Sequence, residues 1–370
     1  MKILTQLQKL VLFRSICLAV MIVMSCAVHS NGQDEVLFPI RENGKMGFGD
    51  KTGKVVIPYQ FDFVYSSFSE GLVAVKIGDK WGYIDKSGKF VIPPKFEQEF
   101  MPSLFYEGLA QVLIKETITE KSGELDKSQK YIIREEILGF IDRSGEFVES
   151  LKFIEERTRF REGVAKVSTG DKFGYVDKSG KFVIEAKFRY AEDFHEGLAA
   201  ASFDGFTYNF IDKTGKFIFP SGFAGAESFG EGLAAVRMTD NKWGFIDKKG
   251  RLVIAAKFDR VFAFSEGLAK VGIGDKAGFI DKTGKMVIPP KFHSKEFGYS
   301  SNSETGFREG LAVVEINEKY GYIDKTGKLV IPAKYGYAHD FNGGLALVLV
   351  DRTTGYRIDK TGKVIFVLKE

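Results

Sequence analysis

Seven glutamates recur in one setting, each followed by glycine and an aliphatic residue: Glu70, Glu107, Glu162, Glu196, Glu231, Glu266 and Glu309. Carboxylates gathered in this way have two possible chemistries. One with a raised pKa could protonate a leaving group in polymer hydrolysis, or together they could form a negative funnel for cations or amino sugars. The simpler alternative is favoured, in which each carboxylate caps a turn or pairs with a lysine of a neighbouring segment. Gly343 interrupts the series. A second series is Asp50, Asp85, Asp142, Asp177, Asp212, Asp247, Asp281, Asp324 and Asp359, mostly in Asp-Lys-Ser/Thr-Gly. A calcium loop needs several oxygens at alternate positions and this motif supplies one, so a hairpin turn is expected instead. His195, His293 and His339 lie far apart, without metal-ligand spacing. Cys17 and Cys26 both lie near the N-terminus, so the rest of the chain has no disulfide, thiolate metal site or cysteine nucleophile. No Ser-His-Asp arrangement stands out. The expectation is a protein without cofactor, metal or catalytic residues.

What positions these side chains is a repeat. Successive aspartates are separated by 35, 57, 35, 35, 35, 34, 43 and 35 residues. A fixed period of this size marks an array of supersecondary units, each needing its neighbours to bury a core. In residues 70–96, Gly71 to Lys76 reads as a leading strand, Trp81 to Ile84 as a middle strand and Lys89 to Ile92 as a trailing strand stopped by Pro93-Pro94. The links between them have hairpin length. The fold class expected is all-β: nine three-stranded antiparallel units of about 35 residues. The leading and middle strands are apolar on both faces, and the leading strand is rich in small residues. These features favour a radial, propeller-like arrangement with the leading strand innermost, over an open β-superhelix or solenoid.

Lys80-Trp81-Gly82-Tyr83, Lys242-Trp243-Gly244-Phe245, the Lys-Thr/Ser-Gly-Lys turns, Val-Ile-Pro and Phe-Ser-Glu-Gly-Leu resemble the WG-repeat (KWG-repeat) family of bacterial proteins. The resemblance spans about residues 35 to 366. Phe173, Tyr208, Tyr320, Met46, Leu138 and Ala277 stand in place of tryptophan, and Asn209 in place of glycine. The resemblance implies an exported or envelope-associated β-repeat protein and carries no catalytic residues with it.

Residues 1–30 read as an export signal, with Lys2, Lys9 and Arg14 before the apolar Ser15 to Ala27. Val28-His29-Ser30 fits a small-residue cleavage site, whereas Val23-Met24-Ser25-Cys26 fits a lipobox that would leave Cys26 lipidated. The remaining 35–370 form a single array whose first and last copies, with Gly49 and Arg357 replacing larger apolar residues, are expected to be water-facing caps. Without the three basic residues of the signal, 53 basic against 49 acidic becomes 50 against 49, which gives no support for nucleic-acid binding. Two insertions break the period, near 115–134 in a leading-to-middle hairpin and near 293–306 in a loop with Phe297 and Tyr299. Insertions in arrays often decorate a binding face. The expected function is a non-enzymatic exported surface for an envelope protein or glycan, with Phe297 and Tyr299 suited to stack on sugars. An envelope-polymer hydrolase using the glutamates and a passive lipid-tethered spacer are the alternatives.

Overall fold

The computed structural model describes residues 36–64, 67–97, 101–122, 130–154, 157–293, 306–351 and 354–369. The expected signal, Cys26, Phe297 and Tyr299 lie outside them. Among the described residues every regular element is a strand, and the strands form nine small antiparallel sheets. These are the blades of a nine-bladed β-propeller, the radial arrangement preferred from the sequence. Two compact units can be distinguished, one made of Met1–Ser67 with Ala224–Glu370 and the other of Phe68–Phe223.

The sheet of Phe160–Arg161, Val164–Thr169, Lys172–Asp177 and Phe182–Phe188 illustrates the pattern, with its strands hydrogen-bonded in chain order. The leading strand (Val164–Thr169) and the middle strand (Lys172–Asp177) face each other residue by residue across a two-residue loop. The trailing strand (Phe182–Phe188) is an edge, and its burial alternates: Ile184 and Phe188 point inward while Val183 is 44% exposed. The opposite edge is not the leading strand, as the sequence suggested. In seven of the nine sheets a two-residue strand lies beside it, as the fourth strand in six of them. The leading strand is therefore interior to its sheet, and its two faces are buried against different neighbours, Val164 in the core shared with the following sheet and Ala165 and Val167 in the core shared with the preceding one.

The glycine of each Trp-Gly pair has a steric cause. Middle and trailing strands lose register between Trp81↔Phe96 and Tyr83↔Ile92, a bulge that consumes the Pro93-Pro94 step. This bulge brings the Ile92 carbonyl oxygen to 2.6 Å from where a Gly82 Cβ would be. The equivalent approach at Gly174, Gly244, Gly278 and Gly321 is 2.5 or 2.6 Å. Asn209 is accommodated because its unit has no regular trailing strand; its Nδ2 instead donates to Phe219 O at 2.9 Å.

The cores lie between successive units. Tyr175 and Phe188 pack with Ala191, Phe194, Ala199 and Ala201 of the following sheet. The phenylalanine two residues before the Glu-Gly, or before Gly343-Gly344 in the last unit, is the peg: Tyr83–Phe105, Tyr175–Phe194, Phe245–Phe264 and Tyr322–Phe341 each meet edge-on with centroids 4.9 Å apart.

The degenerate end copies are not water-facing caps. Within the first compact unit the first sheet packs against the last. Arg357, 3% exposed, lies over the Phe38 ring, and its Nε donates to Pro39 O at 3.1 Å. The Phe366 ring occupies the space a Gly49 Cβ would need. Small or unusual residues were needed there because two sheets meet at that seam.

Candidate binding end of the units

Because strand direction alternates, the Glu-Gly turn and the Asp-Lys-Ser/Thr-Gly turn of a unit share one end. The leading-to-middle hairpin and the connection to the next unit share the other. The two ends have different chemistry.

At the first end the repeated acids are already engaged. Each Glu-Gly pair is the two-residue centre of a tight turn with positive φ at both positions, as Glu266 (φ 52°) and Gly267 (φ 84°) show. A left-handed glutamate costs backbone energy, and the same feature appears at all seven. The carboxylate reaches the next unit's turn. Glu70 accepts from Gly108 N at 2.9 Å, Glu107 from Gly163 N at 3.0 Å and Glu162 from Gly197 N at 3.0 Å. Glu231, Glu266 and Glu309 accept from Gly267, Gly310 and Gly344 N at 3.1, 3.0 and 3.0 Å. A cation from the next unit's aspartate turn then closes each link, with Lys178–Glu107 at 3.2 Å, Lys282–Glu231 at 3.1 Å and Lys325–Glu266 at 3.2 Å. Turn capping and lysine pairing therefore occur together, as ties from one unit to the next. Burial raises the Glu266 pKa, but Gly310 N–H and Lys325 outweigh it and hold the carboxyl below the usual range. At Gly343 the missing carboxylate has a reason: Val36 lies 2.6 Å from where a Cβ would stand.

The aspartates are equally committed. Asp85 Oδ1 accepts from Ser87 N at 2.9 Å, Ser87 Oγ at 2.6 Å and Lys89 N at 3.1 Å. The hydroxyl bond is the largest cause of its lowered pKa. His195 Nδ1 lies 3.3 Å from Arg161, and burial with that cation lowers its pKa. Burial pushes His339 down to about 4. Among the described residues no group of three or more His, Cys, Asp or Glu is placed to hold a metal.

The other end is where units differ. The leading strand Ala110–Ser122 and middle strand Lys130–Ile141 of the third unit run far past the usual six residues, paired from Ala110↔Ile141 to Ser122↔Lys130. His293 borders a shallow cavity of about 300 Å³ with Glu315, Asn317 and Glu318. In the fifth unit the hairpin from Ser202 to Tyr208 carries Phe203, 51% exposed, and Phe206, 80% exposed. Sequence reading missed these two. The available signal was Phe203-Asp204-Gly205-Phe206 where the second, fourth and seventh units have only Gly-Asp, in a unit that has Asn209 in place of the glycine.

Nine small antiparallel sheets, sharing cores with their neighbours within each compact unit and with repeated acids tied from one sheet to the next, define a repeat protein of the β-propeller class. The family profile described as "WG containing repeat" matches residues 46–81, 81–116, 173–205, 210–243, 243–276, 278–294 and 320–352, more than half of the chain. The chain belongs to the WG-repeat family. A crystal structure of a eukaryotic initiation factor is similar with a TM-score of 0.61 at 10% identity, covering 91% of this chain and 96% of that one. BamB from Moraxella catarrhalis gives 0.44 at 13% identity, covering 80% and 91%. At these identities the likeness concerns the fold alone. No curated protein sequence matches the chain.

Proposed function

We propose that this protein is a non-catalytic binding scaffold of the cell envelope, exported by its N-terminal segment, and that it recognises another envelope protein through the variable ends of its units. The observation that carries this reading is the long two-stranded arm, Ala110–Ser122 with Lys130–Ile141, set in an otherwise uniform array. Its pairing continues far past the hairpins of the other units, and loop growth on a rigid scaffold is where repeat proteins hold their recognition elements. The Glu-Gly end suits recognition poorly, because its carboxylates are engaged in the ties between units.

The hydrolase alternative requires a glutamate with a raised pKa, and Glu266 is shifted the other way. The test is a pull-down from envelope extract with residues 31–370 beside a variant lacking 115–134. A defined protein retained by the full chain and lost by the deletion supports the reading. A glycan retained in its place redirects it to a lectin, and equal retention by both forms removes the arm from the site.

A further inference from the structure

We infer that Phe206 is an anchor residue that inserts into an apolar, ring-sized pocket on a partner protein; this rests on the binding-scaffold reading above and names its contact. At 80% exposed, Phe206 is the most exposed large hydrophobic among the described residues. Its neighbour Phe203 is held down, stacked on Phe188 with centroids 5.0 Å apart and met edge-on by Phe217 at 5.1 Å. Of the two phenylalanine rings in the hairpin, one is the foot and the other stands in solvent.

The hairpin is fixed before any partner arrives. Asp204 Oδ1 accepts from Phe206 N at 2.8 Å, Thr207 N at 2.7 Å and Ser202 Oγ at 2.9 Å. Gly205 N donates to Ser202 Oγ at 2.9 Å, and Tyr208 OH donates to Gly205 O at 3.0 Å. A loop so cross-tied presents its ring with little ordering entropy left to lose, which is how rigid aromatic anchors gain affinity.

The surroundings favour protein over the other classes of partner. A sugar stacked on a ring is specified by free donors and acceptors beside it, and here the Ser202 hydroxyl and one Asp204 carboxylate oxygen are spent on the loop. An anionic bilayer would need clustered cations. The charges around the hairpin are mixed: Asp204 lies within it, Arg189, whose backbone N–H donates to Ser202 O, pairs with Asp171 at 3.7 Å, and Lys187 lies over the Phe188 ring. An apolar anchor with a mixed, solvated rim has the anatomy of a protein–protein hot spot.

The experiment places a photoreactive benzoylphenylalanine at position 206 of the full chain, in the cells that make it. Parallel chains carry it at Thr119 in the arm and at Val183 on a trailing strand. The crosslinked protein is then identified, purified and titrated against wild type, Phe206→Ala and Phe206→Trp. The expected result is one protein adduct at 206 and none at 183, with binding roughly thirtyfold weaker for Phe206→Ala and largely kept for Phe206→Trp. An unchanged melting curve for Phe206→Ala separates lost binding from lost folding. Adducts to lipid or glycan only, or wild-type affinity for Phe206→Ala, overturn the proposal. Adducts at 119 with none at 206 overturn the anchor and keep the scaffold reading, whereas none at either position overturns both.

Discussion

Glu266 sits in a backbone conformation that disfavours every residue but glycine, and its carboxylate is the reason it is there. Two variants separate these effects. Glu266→Ala keeps the left-handed φ of 52° but removes the acceptor for Gly310 N and Lys325 Nζ. A charge-assisted bond contributes about 1.5–3 kcal/mol when buried. With the Glu266 side chain 32% exposed, a figure of about 1 kcal/mol is appropriate. Glu266→Gly loses the same bonds but relieves a backbone cost of about 1 kcal/mol. The expected order of stability in urea is wild type close to Glu266→Gly, with Glu266→Ala lower by about 1 kcal/mol. Amide exchange gives a local readout, since the Gly310 N–H should lose protection in both variants. Equal stability of the alanine and glycine forms would refute the strain argument. Unchanged protection of Gly310 would refute the tie itself.

Gly244→Ala places a methyl 2.5 Å from Ile254 O and should destabilise by about 2 kcal/mol in urea, and Asn209→Gly, which removes the bonds to Phe219 O and Ser221 O and the acceptor for Phe210 N, should also cost about 2 kcal/mol. Arg357→Met keeps the volume over Phe38 without burying a charge, so its melting temperature should equal or exceed wild type, whereas Arg357→Ala should lower it. The turn aspartates and Glu266 have folded pKa values below their ordinary ones. Their contribution is therefore complete above the usual carboxylate range and is lost as pH falls through the folded values; urea midpoints should drop below pH 4, and by less in Asp85→Asn.

The amino-acid sequence alone determined the unit, because everything that makes it is local. Alternating apolar residues, Asp-Lys-Thr-Gly turns and prolines after Val-Ile act within a few positions, so period, strand type and the number of units were readable. The aspartates, too, are satisfied within four residues, as Asp85 with Ser87 and Lys89 shows. Only the tertiary structure decided what lies between units. The acceptor role of Glu266 is completed by Gly310, 44 residues away, and nothing near Glu266 names that partner. The short edge strand was illegible because two residues carry no periodicity. Gly343 and Arg357 looked like decay until Val36 and Phe38 were found against them. Of the candidate site, the arm was legible as a break in spacing, but Phe206 was not. In a chain rich in phenylalanine, only the fold shows which ring is left in water, as at Phe206, 80% exposed.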